Sequence, residues 1–180
     1  MNEIPLTPVK EEEGLTDPLL RENFITRIFV YHRWQHMRDG GITSARLVQF
    51  HTRHKLLIRV HNEVEYQRLG RLVAEAGTKD MEKLADEYVE VLMNAMKRPA
   101  TRKQHSKVLA HLAGYLKRRI DSGDKAEHLR LIDEYWFGRM PLVVPITMLK
   151  HYFSRCPDSY FGHQFYLQPH PEELQLRKYI

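Results

Sequence analysis

Apolar residues recur at three- and four-residue spacing along most of the chain, and residues that start or stop helices interrupt the recurrence at short intervals. Thr16-Asp17-Pro18 opens the first periodic stretch, with Thr16 placed to cap a helix and Pro18 suited to its first turn. That helix should run to about Arg38 and stop at Gly40-Gly41. A second should begin at Thr43 or Ser44 and reach His61. Asn62 then caps a third, ended at Gly77, and Asp80 opens a fourth, ended by Pro99. Thr101 caps a fifth that runs to about Ile120. Ser122 or Asp124 caps a sixth, stopped at Gly138, and Pro145 enters a seventh, halted at Cys156-Pro157. Pro171-Glu172-Glu173-Leu174 offers a last short helix. No stretch alternates apolar and polar residues with β-branched side chains; the strand-like run Pro141-Leu142-Val143-Val144 is too isolated to build a sheet. The expected fold is all-α, a single bundle of about seven helices with short connections. Residues 1–15 read as an acidic, aperiodic tail expected to be mobile, and residues 16–180 as the helical domain.

Composition narrows the function classes. Hydrophobic residues make up 42% of the 180, enough for a core, and no apolar run approaches bilayer length. The start, Met1-Asn2-Glu3-Ile4-Pro5, does not read as a signal peptide. The single cysteine, Cys156, excludes an internal disulfide, a cysteine-held iron–sulfur cluster and a multi-cysteine zinc site. A cytoplasmic location with no membrane partner and no cofactor is the expectation. Nucleotide-binding G-x-G-x-x-G, a P-loop lysine and a G-x-S-x-G elbow are all missing.

The net charge of +5 says less than its distribution. Between Val91 and Ile120 there is no Asp or Glu, but there are eight Lys and Arg residues. Gly40 to Asn62 is also free of acids and holds Arg46, Arg53, Lys55 and Arg59. Charge segregated in this way points to a polyanion. On a wheel of about 100° per residue, Val108, Leu109, Leu112, Tyr115, Leu116 and Ile120 of the fifth helix share one arc. Lys103, Lys107, Ala110, Gly114 and Arg118 share the opposite side. Small residues inside a basic stripe let a bulky backbone approach while the long side chains neutralise phosphates. Thr101, at the helix start, adds a hydroxyl beside free N–H groups that suits a phosphate.

Eleven histidines need an account. His51, His54 and His61 fall within the apolar arc of the second helix, with Lys55 and Arg59 to one side and Arg46 and Arg53 to the other. On the fifth helix His105 lies in the apolar arc and His111 at its edge. Three readings compete: a buried hydrogen-bond network, a cleft in which imidazoles meet bases or phosphates, and a metal site. The spacing His-x-x-His-x6-His matches no recognised zinc pattern, so no metal ligand is assigned. Cys156 reads as structural, and the adjacent carboxylates Asp133 and Glu134 face different directions on a helix.

Several blocks carry a family resemblance. They are Phe50-His51-Thr52-Arg53-His54-Lys55-Leu56-Leu57, Tyr66-Gln67-Arg68-Leu69-Gly70-Arg71-Leu72-Val73, Pro99-Ala100-Thr101-Arg102-Lys103-Gln104-His105, His111-Leu112-Ala113-Gly114-Tyr115-Leu116-Lys117, Pro141-Leu142-Val143-Val144-Pro145-Ile146-Thr147 and the Tyr166–Leu174 stretch. Across about residues 24–177 the chain resembles the YbgA-like family. This helical domain occurs alone and also fused behind thiouracil-type desulfidase domains that act on 4-thiouridine in tRNA, where it is thought to hold the tRNA. The resemblance implies a tRNA-binding module, with a tRNA-modifying enzyme such as a desulfidase as a further partner. The desulfidase half is absent, and no catalytic residue carries over. The expectation is therefore a non-catalytic RNA-binding module. Its contacts are Arg102, Lys103, Lys107, Lys117 and Arg118, extended by Arg53, Lys55 and Arg59, with His54, His105 and His111 lining or supporting the cleft. A histidine-dependent enzyme acting on nucleic acid or nucleotide, with or without a metal, and an adaptor for an acidic protein are the alternatives.

Overall fold

The computed structural model describes residues 15–116, 119–155 and 159–180. The expected tail, Lys117, Arg118 and Cys156 lie outside the described residues, apart from Leu15 at the tail's end. Among the described residues seven long helices form the fold: α1 Pro18–Asp39, α2 Ser44–His61, α3 Glu63–Ala74, α4 Met81–Ala95, α5 Arg102–Leu116, α6 Ser122–Trp136 and α7 Val143–Arg155. A one-turn α8, Ser159–Gly162, and two 3-10 turns, Glu172–Leu174 and Leu176–Lys178, follow. No strand occurs among the described residues, so the all-α class expected from the sequence is what the chain adopts. Among the described residues no helix is long and apolar enough to cross a membrane.

Caps set the helix boundaries, and two of the capping residues differ from expectation. Asp17, not Thr16, caps α1, accepting from the Leu20 N–H at 2.9 Å. Its place before Pro18 disfavours helical backbone and holds it extended, the geometry an N-cap needs. Asp121, rather than Ser122 or Asp124, caps α6 by accepting from Asp124 N–H at 2.8 Å. Thr101 and Gln104 form a reciprocal box at the start of α5: the Gln104 Oε1 accepts from the Thr101 N–H and hydroxyl, both at 2.8 Å. The strand-like run at 141–144 is a turn leading into the first turn of α7, because the N–H that Pro145 lacks is unneeded there.

Asn62 closes α2 and opens α3. Its backbone N–H donates to Ile58 O, and its side chain accepts from the N–H groups of Val64 and Glu65 at 3.1 Å. Asn62→Ala is expected to lose about 1 kcal/mol of stability, read as a lowered urea midpoint with an unchanged slope.

α2 occupies the middle of the bundle, against α1, α3, α4 and α5. Leu47, Phe50, His51, His54, Leu57, Ile58 and His61 supply one buried stripe, and Leu56 and Val60 a second. Trp34 of α1 stacks on Tyr88 of α4 at 5.3 Å and meets the edge of Phe50 at 5.2 Å. Such pairs add about 0.5–1.5 kcal/mol beyond their buried area. Tyr115 departs from the wheel: it is 48% exposed, lying against Phe161 at 4.0 Å instead of entering the core, while Ser106 and Ala113 are buried.

A polar network runs through the interior and fastens the C-terminal turns to α1. The Arg177 guanidinium donates to Glu22 Oε1 at 3.0 Å and to Tyr166 O at 2.6 Å. His170 Nε2 lies 3.6 Å from the same carboxylate oxygen, and Thr26 donates to it at 3.3 Å. Burial alone would raise the Glu22 carboxyl, but the neighbouring His170 and Arg177 outweigh it and hold the group well below the usual carboxylate range.

Candidate nucleic-acid interface

The expected basic face of α5 is present in part. Lys103 and Lys107 are exposed, with no carboxylate partner among the described residues. Ala110 and Gly114 are exposed beside them, and a Cβ at Gly114 would meet nothing within 4 Å, so the middle of the stripe is open. Arg102 has turned to the α5–α6 packing: it donates to Tyr135 O at 3.2 Å and its guanidinium lies 5.4 Å from that ring. The Thr101 side chain, assigned to phosphate by sequence, is engaged with Gln104.

α2 divides its cations between two neighbours. Lys55 and Arg59 lie on the α5 side, close enough to His111 that their charges, after burial, push its imidazole below its ordinary value. Arg59 also donates to Glu63 at 2.8 Å. Arg53 is on the other flank, with Arg46, facing α1. The sequence had Arg53 extending the α5 patch with Lys55 and Arg59; the structure joins it to a different set of residues.

That set forms a cavity of about 430 Å³ between α1 and α2. His32, Arg33 and His36 come from α1, and Arg46, Gln49 and Arg53 from α2. Phe50 and His54 lie at its base, and Phe165 closes one side. Among the described residues no carboxylate lines it. Phe165 is brought there by the segment after α8, whose backbone donates to Arg53 O at 2.9 Å. The Arg33 and Arg53 guanidiniums lie 3.9 and 4.4 Å from the Phe165 ring. Arg33 donates through Nη2 to Pro169 O, whereas its buried Nη1 has no partner among the described residues. Burial and the charge of Arg53 push Arg33 down to about 10, so it stays a cation at neutral pH. Arg46 donates to Gly41 O at 2.9 Å and packs over Gly40.

His54 supports this cavity from below. Its Nδ1 is 2.7 Å from Phe50 O; a carbonyl only accepts, so Nδ1 carries the proton. Nε2 is then a bare acceptor, buried and without a partner among the described residues. Burial pushes the imidazole down to about 3, the Phe50 bond opposes this, and the charges of Arg33 and Arg53 add to it. The other inward rings take the network reading: His51 meets Tyr88 Oη at 2.9 Å, His61 meets Arg98 O at 2.8 Å and His105 meets Tyr166 Oη at 3.2 Å. His105 therefore lies in the interior, away from the cavity, while His111 is at the surface. Among the described residues no three His, Cys, Asp or Glu side chains converge on a possible metal position.

Arg33, His32, His36 and Phe165 were missed by sequence reasoning. A signal existed for the first three, since residues 23–38 contain no acid and carry Arg27, Arg33 and Arg38. Phe165 had none, because it arrives from more than a hundred residues away. A second cavity, about 790 Å³, lies between α7 and the C-terminal turns, but there Lys150 is paired with Glu172.

The family model described as "Protein of unknown function (DUF1722)" matches residues 55–171. The chain is 31% identical over 157 residues to "Uncharacterized protein YbgA" of Escherichia coli (strain K12), spanning 87% of this chain and 93% of that protein. No solved structure matches. The family model runs from within α2 to the C-terminal segment that closes the cavity, the relative spans most of the chain, and the chain belongs to the DUF1722, YbgA-like family.

Proposed function

We propose that this chain is a non-catalytic RNA-binding module that grips structured RNA, tRNA first among candidates, through its phosphates. One observation carries the reading. The acid-free helix α2 supplies cations on both flanks, Arg46 and Arg53 toward α1, Lys55 and Arg59 toward α5, so two basic surfaces share one rigid element. Lys103 and Lys107 lengthen the α5 surface. A helix that serves only to face water commonly mixes signs, because Glu–Lys pairs at i,i+4 support it; a phosphate-binding helix excludes Glu. Two separated basic surfaces suit an extended, folded polyanion better than a single acidic side chain. The enzyme alternative has less support, since the inward histidines are engaged with carbonyl and phenol oxygens.

The test is binding of purified protein to tRNA over a salt series. Binding at about micromolar Kd or tighter in low salt should weaken linearly on a log–log plot, as counterion release requires. In a folded Lys103→Ala/Lys107→Ala variant, affinity should fall and the salt slope should shrink by about two. Absence of binding at low salt by a folded protein would sink the reading.

A further inference from the structure

The α1–α2 cavity asks for more than a stretch of phosphodiester backbone. Arg33, Arg46 and Arg53 converge on it with no carboxylate among the described lining residues. Arg33 is partly buried, and its Nη1 donor is enclosed and unpartnered. A guanidinium held out of water beside a second cation is unfavourable unless an anion joins it. Exposed phosphate-tracking cations, such as Lys103 and Lys107, need no such enclosure.

Size and shape narrow it again. About 430 Å³ exceeds a bare phosphate and falls in the range of small-ligand sites. Phe165 is already covered by two guanidiniums and Phe50 by the His54 ring at 3.9 Å, so neither offers an open face for base stacking. The cavity is then built around phosphate and sugar, with the base left toward the exposed rim formed by His32, His36 and Gln49.

We infer that the α1–α2 cavity is a binding site for a nucleoside monophosphate, its phosphate held by Arg33, Arg46 and Arg53. The same chemistry is presented by a free nucleotide and by the phosphorylated end of an RNA strand. The strand form rests on the RNA reading above; the free form does not.

Calorimetric titration with UMP, with uridine, and with short oligoribonucleotides ending in phosphate or in hydroxyl separates these cases. UMP should bind and uridine should bind at least roughly tenfold more weakly, a difference of about 1.4 kcal/mol by the affinity relation. Arg53→Ala and Arg46→Ala, each at an exposed position, should abolish that advantage while circular dichroism stays native. Lys83→Ala removes the same charge from exposed α4 and should change nothing. If phosphate-ended oligomers bind better than UMP, the strand end is the occupant. If UMP binds and no RNA does, the cavity stands and the RNA reading falls. Failure of every phosphorylated probe to outbind its hydroxyl counterpart would overturn the inference, whatever tRNA does.

Discussion

Lowering the pH from 7.5 to 5 is expected to unfold most of the protein in one cooperative step, seen as loss of helical circular dichroism. Four rings drive it. Burial pushes His54 and His105 down to about 3, and His51 and His128 to about 4. Each is neutral in the fold, whereas the unfolded chain binds a proton on each below about pH 6.5. The unfolded state therefore holds more protons through the window from about 6.5 down to the folded values, and stability falls with pH throughout it. At pH 5 each ring removes about 2 kcal/mol of stability, together on the order of 8 kcal/mol. That is comparable with the whole stability of an ordinary domain, about 5–15 kcal/mol. The depressed carboxyl of Glu22 acts in the same direction, but only once the pH falls below the usual carboxylate range.

His128 provides the internal check. Both its ring nitrogens lack a hydrogen-bond partner among the described residues, and it meets Tyr152 edge-on at 5.9 Å. His128→Leu should remove one titrating ring without orphaning another group. Its acid midpoint should lie about 0.3–0.5 pH unit below that of the native sequence, from the same linkage, while stability at pH 8 changes little. A fold whose urea midpoint is unchanged between pH 7.5 and 5 would refute this account of the buried rings.

Helix order and ends were readable because caps and breakers act locally: Asn62, Asp80 and the Gly40-Gly41 pair set boundaries through their own backbone neighbours. Where a boundary shifted, as from Thr16 to Asp17, two adjacent acceptors competed and the residue before proline had the right backbone. The inward direction of His51, His54, His61 and His105 was also readable from spacing, since a helical arc is a local property. Their partners were not: Tyr88 and Tyr166 arrive from other elements. The same limit explains Arg53. The wheel placed Arg46 and Arg53 opposite Lys55 and Arg59, but a wheel does not say which helix lies on which side. Packing of α1 against one flank and α5 against the other turned one presumed patch into two surfaces. Tyr115 shows the converse, an apolar arc wider than the neighbours that cover it.

Arg177→Met is expected to destabilise the protein by about 3–5 kcal/mol, the usual consequence of removing one partner from a buried ion pair. Arg177 and Glu22 are 6% and 4% exposed and 155 positions apart, so their contact holds the C-terminal turns to α1. It also holds Tyr166 through its carbonyl, next to the Phe165 that walls the cavity. Without the guanidinium, desolvation of Glu22 is opposed mainly by His170, and its carboxyl should move from below its ordinary range to above it. A carboxyl raised in the fold binds more protons folded than unfolded, so the penalty relative to the native sequence should grow with pH from 6 to 8. A merely lost packing contact would give a pH-independent penalty. Glu22→Leu combined with Arg177→Met should recover most of the loss, because no charge is then left buried alone. Chemical denaturation of the three variants at pH 6, 7 and 8 decides the matter: a flat penalty would assign Arg177 to packing, and a double variant as unstable as the sum of the singles would show that the two charges are not coupled.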